Sequence, residues 1–163
     1  MLNVLVIYDS MSGNTELMAY AVAKGAENVS QSHVSLKKVD AVTLEDMLNA
    51  HAIIIGSPTY YGLMSAKVKD LLDRSVKIHG KLEGKVGAAF TSSGGAASGA
   101  ETTLLSIIEA LLIHGMIVQG RHDGKHYGAA AVGKPSDSDI KICEELGRRT
   151  AELAKRIFSH TQM

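Results

Sequence analysis

A chain of 163 residues, 45% hydrophobic and with only two prolines, holds enough apolar material for one ordinary folded domain and little from which to build linkers. Seventeen basic residues balance seventeen acidic ones, at a pI near 7.1, and no run gathers five like charges, which argues against nucleic acid and anionic membrane surfaces as partners. A single cysteine, Cys143, excludes an intrachain disulfide, and no apolar run approaches the ~20 residues of a membrane span, so the expected location is the cytoplasm.

Val4-Leu5-Val6-Ile7-Tyr8 is a continuous apolar run that suits a strand buried on both faces, and it is too short for a secretion leader. Leu17, Met18, Ala21, Val22 and Gly25 recur at helical spacing and predict a helix near 15–27. Val34–Val39 reads as a weaker, alternating strand, and Leu44–Asn49 as a short helix. Ala52-Ile53-Ile54-Ile55-Gly56 is a second core strand, and Val68, Leu71, Leu72 and Val76 place a helix over 66–76. Val86–Phe90 is a third buried strand, running into the Ser/Gly/Ala loop 91–99. Leu104, Leu105, Ile107, Ile108, Leu111 and Leu112 line a helix closed by Gly115. Met116–Val118 gives a fifth strand; after a Gly-rich loop, Ile140, Cys143, Gly147, Ala151, Ala154 and Phe158 mark the last helix.

Five strands alternating with helices predict an α/β fold over 1–163: one domain with a doubly wound five-stranded parallel sheet and helices on both faces. Such sheets bind ligands at the carboxyl ends of their strands, beside the point where strand order reverses. Three loops therefore carry the expectation of a site: 9–15, 56–64 and 91–99.

The first, Asp9-Ser10-Met11-Ser12-Gly13-Asn14-Thr15, joins a strand to a helix whose N-terminal amides attract phosphate. Ser10, Ser12 and Thr15 add hydroxyls, and Gly13 lets the backbone curl. It contains neither the lysine-bearing P-loop nor a G-x-G-x-x-G, which leaves a single terminal phosphate, or a plain turn with Thr15 as helix cap. In the second loop Pro58 and Thr59 precede Tyr60 and Tyr61, which offer an aromatic wall, and Gly62 permits a close peptide; the alternative is a turn with two half-exposed tyrosines, and their adjacency where a ligand should sit favours the wall. In the third, Ser92, Ser93, Gly94 and Gly95 either expose backbone N–H groups to a ring edge or form a flexible connector.

Together these segments resemble one family. Ser10-x-Ser12-Gly13-x-Thr15 after the first strand resembles the FMN phosphate loop of flavodoxins. With GSPTYYGLMS at 56–65, FTSSGG at 90–95, ETTLL at 101–105 and HGM at 114–116, the chain resembles the WrbA-like NAD(P)H:quinone reductases, first named tryptophan-repressor-binding proteins. The resemblance implies a flavodoxin-like fold, FMN held by the three loops, NAD(P)H as co-substrate, a quinone as acceptor, and a homodimer or homotetramer. It also implies that His114, in the HGM segment, approaches FMN; since the preceding helix should end away from its own subunit's site, the flavin it reaches is expected to be a neighbour's. The bland alternative makes His114 a helix C-terminal residue in a favourable dipole. The chain departs from the family in a shorter 120–135 segment, in having no tryptophan, and in placing Ser12 where many members carry a bulkier aromatic.

His122 and His126 flank Gly124 without a carboxylate partner and read as loop residues, with no metal expected. Cys143 falls on an apolar helix face. No side-chain constellation reads as catalytic, so the flavin should carry the chemistry. The alternative is a flavodoxin-type single-electron carrier. Such carriers are usually acidic, and this chain is neutral.

Overall fold

The computed structural model describes residues 1–159. The elements follow in the order β1 (Leu2–Tyr8), α1 (Asn14–Glu27), β2 (Ser32–Lys38), α2 (Leu44–Asn49), β3 (Ala52–Pro58), α3 (Ala66–Arg74), β4 (Val86–Ser93), α4 (Ala100–Ile113), β5 (Ile117–Val118), β6 (Ala129–Val132) and α5 (Asp137–Ser159). All strand pairs are parallel, in the order β2-β1-β3-β4-β5, with β6 also on β4. Strand order reverses between β1 and β3, the crevice where open α/β sheets bind ligands. This is the flavodoxin-like doubly wound sheet.

The buried runs of β1, β3 and β4 form because parallel strands covered on both sides need apolar residues at every position. Val4, Val6 and Tyr8 face a core shared with α1 and α5, whereas Leu5 and Ile7 face α2, α3 and α4. β2 lies at the edge of the sheet and is only partly buried. At the other edge the expected strand at 116–118 is only half of the fifth position. β5 pairs with Val86 and Gly87, the chain leaves at Gln119, and β6 returns to pair with Phe90–Ser93. The glycine-rich, polar stretch between them offers no apolar alternation to hold it on the sheet.

Other boundaries move as well. β4 runs three residues beyond Phe90, to Ser93. α3 stops at Arg74 and tightens into a 3₁₀ turn over Ser75–Ile78. α5 begins at Asp137, where Ser136 and Asp139 cap it reciprocally. At the end of α4 the Gly115 amide donates to Leu112 and the Met116 amide to Leu111, the Schellman arrangement expected of a glycine stop.

Small residues bring α1 and α5 together. A Cβ on Gly25 would lie 1.9 Å from the Glu144 carbonyl oxygen, and one on Gly147 would lie 1.9 Å from that of Val22. Cys143, Ala151 and Ala154 are fully buried in the same core cluster. Gly147→Ala should therefore destabilise the protein by about 1–3 kcal/mol through forced separation of the helices. Urea denaturation measures this, with the exposed Ser138→Ala on the same helix as a control expected within about 0.5 kcal/mol of the parent.

Candidate functional site

The three loops meet at the carboxyl edge of β1, β3 and β4. The Asp9 amide donates to the Gly56 carbonyl (3.1 Å) and the Thr59 amide to that of Ser92 (2.8 Å), carrying the sheet past its last regular residues. The Thr91 hydroxyl donates to the Ser57 carbonyl (2.7 Å) and so accepts from the Thr59 hydroxyl (2.9 Å). At the β6 end, Gly133 N–H donates to the Ser93 carbonyl at 2.7 Å. A mesh of short hydroxyl side chains thus locks the strand ends together beneath the loops.

Helix α1 opens onto this edge without a side-chain cap. Its N-cap is Gly13, in the left-handed region at φ 89°. Nothing lies within 4 Å of where a Cβ on Gly13 would stand. The amides of Asn14, Thr15 and Glu16 therefore lie within the first turn, where a helix supplies no acceptor. Thr15 is not the cap. It lies inside the helix, 1% exposed, with its hydroxyl 2.8 Å from that of Ser92. The Ser10 hydroxyl oxygen accepts the Gly13 amide at 3.1 Å, which leaves its proton free for another acceptor. Ser12 and Met11 are exposed.

Capping elsewhere makes the contrast plain. Thr43 caps α2, Ser65 caps α3 and Ser136 caps α5. Only the two helices that begin at the loops, α1 and α4, start from a left-handed glycine with no capping side chain. An uncapped N-terminus lined by hydroxyls suits an anion.

Pro58 belongs to the last position of β3, paired with Ser92, rather than to the loop. Beyond it the chain makes a tight two-residue hairpin: the amides of Tyr60 and Leu63 each donate to the other's carbonyl, at 3.0 and 3.1 Å. Tyr61 and Gly62 both have positive φ, 51° and 76°, as a type I′ turn requires. A bulky residue there is strained, and such outliers cluster at ligand sites. Tyr61 stands fully in solvent and Tyr60 is 39% exposed. The hairpin presses on the third loop, because a Cβ on Gly99 would lie 2.5 Å from the Cα of Gly62.

In that third loop Ser92 and Ser93 are buried at the end of β4, and Gly94 and Gly95 begin the loop proper, with nothing within 4 Å of either Cβ position. The hydroxyls of Ser93 and Ser98 both donate to the Gly95 carbonyl, at 3.0 and 2.6 Å. The connector is therefore organised by its own serines. Ser57 and Thr91 brace the candidate site, and sequence reasoning did not single them out; a hydroxyl residue directly after an apolar run is the available signal.

His114 is not brought to these loops. α4 runs back along the sheet, so His114, its C-cap, lies at the amino edge of β4, where the Gly84 amide donates to the Gly115 carbonyl. It is 7% exposed. The Ser75 hydroxyl donates to the Leu72 carbonyl (2.6 Å), so it accepts from His114 Nε2–H at 2.7 Å. Nδ1 is then bare, buried and without a partner. His122 and His126 are exposed in the segment between β5 and β6, with His126 Nδ1 2.8 Å from the Arg121 carbonyl oxygen.

Comparison with known proteins supplies the family. The NADPH-dependent FMN reductase profile matches residues 2–123. The chain belongs to that family. A flavodoxin of Aquifex aeolicus is 44% identical over 157 residues, covering 91% of this chain and 85% of that protein. An NAD(P)H dehydrogenase (quinone) of Archaeoglobus fulgidus is 35% identical over 191 residues, covering 96% of this chain and all of its own length. Among solved structures, a WrbA-like flavodoxin from Agrobacterium tumefaciens superposes with a TM-score of 0.83 at 30% identity, over 96% of this chain and 99% of that one.

Two histidines, the buried His114 and the half-buried His51, give a pH dependence. Burial, then the neighbouring His79, hold His114 below its ordinary 6.5. Burial, then Lys85 and the N-terminus, do the same for His51, whose Nδ1 accepts the Asn3 amide at 2.9 Å. The unfolded chain binds more protons than the native one below 6.5, so stability is lost as the pH falls from that value through the lower folded-state values. The slope should not exceed about 1.4 kcal/mol per pH unit for each histidine. Urea denaturation between pH 7.5 and 5 measures it, and His114→Gln should flatten the decline.

Proposed function

We propose that the protein is an FMN-dependent NAD(P)H:quinone oxidoreductase, with the uncapped, hydroxyl-lined start of α1 as its phosphate cradle. That bare helix end, at the strand-order reversal and beside a tyrosine hairpin, carries the reading. The family, and relatives named as quinone dehydrogenases along nearly the whole chain, support it.

The amides of Asn14, Thr15 and Glu16 and the hydroxyls of Ser10, Ser12 and Thr15 hold the phosphate. No lysine or arginine occurs in 9–15, 56–64 or 91–99, which suits one phosphate bound by dipoles and hydrogen bonds. Thr59, Tyr60, Tyr61 and Gly62 wall the ring on one side, and residues 92–95 meet its polar edge with backbone groups. FMN, when bound, supplies hydride acceptance from a nicotinamide and electron delivery to a quinone. The chain keeps one approach to the ring uncovered, because Ala96, Ala97 and Ser98 are exposed and small.

The reading includes a cytoplasmic protein, consistent with a single, buried cysteine and a nicotinamide donor. Among the described residues no helix is long and apolar enough to cross a membrane. It also includes self-association as a homodimer or homotetramer, for which the exposed Val76, Leu112 and Ile113 supply apolar surface. To touch a neighbour's flavin, His114, which is 7% exposed, would have to be uncovered on assembly.

A second reading, a one-electron carrier, is favoured by the 44% identity to a protein named flavodoxin. A neutral net charge weighs against it, since acidic surfaces steer carriers to their partners. Stopped-flow mixing separates the two. FMN-loaded protein should bleach rapidly with NADPH or NADH and regain its colour with benzoquinone; failure to bleach with either nicotinamide would leave the carrier.

Binding tests the cradle itself. FMN should bind far more tightly than riboflavin in fluorescence titrations, and equal affinities would remove the phosphate assignment. Hydrogen bonds to charged groups are worth roughly 1.5–3 kcal/mol. Thr15→Ala should accordingly weaken FMN by about ten- to a hundredfold.

A further inference from the structure

An acidic residue three places after an N-cap normally folds back onto the N-cap amide and caps the helix itself. This chain does so twice. In α2, Asp46 accepts the Thr43 amide at 2.8 Å, and before α5, Asp139 accepts the Ser136 amide at 3.0 Å. Helix α1 has the same arrangement of positions: Gly13 is the N-cap and Glu16 stands three residues on. Yet Glu16 does not fold back. The Gly13 amide goes to the Ser10 hydroxyl instead, and Glu16 Oε1 accepts a 2.7 Å hydrogen bond from the Tyr8 hydroxyl.

Tyr8 is well placed for this. It ends β1 with its ring buried against α1 and α5. The hydrogen bond to Glu16, with burial, pushes the phenol up to about 12, so the hydroxyl remains a donor at any working pH. Among the described residues Glu16 has no other side-chain partner that would hold it away from its own N-terminus: Lys24 pairs with Glu144.

We infer that Tyr8 is a positioning residue that selects phosphate-bearing flavins, by holding the Glu16 carboxylate off the bare amides of α1. The inference rests on the FMN reading above. Folded back as Asp46 and Asp139 are, the carboxylate would contest the Gly13 amide with the Ser10 hydroxyl, disturbing a phosphate donor, and would set a negative charge beside a dianion. Riboflavin lacks the phosphate and is indifferent to both effects. The pair therefore governs discrimination between the two flavins.

The test measures dissociation constants for FMN and riboflavin by flavin fluorescence, in the full chain and in Tyr8→Phe, Glu16→Gln and the double variant. Tyr8→Phe preserves the buried ring and removes only the hydroxyl. It should weaken FMN on the order of fivefold at low salt, with riboflavin unchanged and the loss shrinking as salt rises. Glu16→Gln should bind FMN at least as well as the parent, and the double variant should regain the lost affinity. Parallel losses for both flavins in Tyr8→Phe would overturn the inference by making Tyr8 merely structural. A loss that persists in the double variant would overturn it by acquitting Glu16. If the parent itself fails to prefer FMN to riboflavin, the phosphate cradle falls and the inference with it, an outcome visible before any variant is made.

Discussion

The contact between α1 and α5 through Gly25 and Gly147 sets the position of everything at the candidate site. Each glycine lies where the other helix's backbone leaves no room for a methyl group, so the two helices approach to main-chain contact. That closeness fixes the axis of α1 on the sheet, and the axis in turn fixes where its first turn opens. Held further out, the amides of Asn14, Thr15 and Glu16 would stand away from the ends of β1 and β4, and Thr15 would lose its hydroxyl contact with Ser92. A packing constraint at one end of a helix thus determines what its other end can bind.

The strand ends depend on a different kind of restraint. Ser57, Thr91 and Ser93 exchange hydrogen bonds with the neighbouring main chain, and the Thr59 hydroxyl bonds to that of Thr91. Buried hydroxyls of this kind stabilise only when satisfied, and these are. The resulting platform is rigid, whereas what projects from it is exposed: Met11, Tyr60, Tyr61 and Leu63. A rigid base with an exposed apolar rim is what a planar aromatic ligand requires, since the base gives orientation and the rim gives contact area.

Much of this was legible in the residues. Val4–Tyr8 and Ala52–Ile55 announce themselves because a doubly covered parallel strand must be apolar throughout, and the loop after each is where sheets of this kind take their ligands. Less legible was anything decided by partners distant in sequence. Thr91 to Ser93 reads as loop, because hydroxyl residues are poor core formers; it is strand because β6 and the end of β3 offer ladder partners on both sides. β6 itself, Ala129–Val132, is four small or β-branched residues with no pattern to distinguish them. The plain-turn alternative made Thr15 a helix cap, but the left-handed Gly13 takes that place. That α4 would carry His114 to the far edge of the sheet was legible from the alternation of strands and helices; that Ser75 engages it there was not.

The divided fifth strand has a consequence for how such a chain can change length. β5 is anchored to Val86 and Gly87, and β6 to Phe90–Ser93, each by its own ladder. Residues 119–128 leave and rejoin the same edge, so neither anchorage depends on the path between them. Loop closure costs rise only slowly with length. Residues added at this place would swell an excursion on the sheet's flank without altering the register of β4 or the platform at its end. A fold with such a seam accepts growth at its margin while its chemistry stays in place.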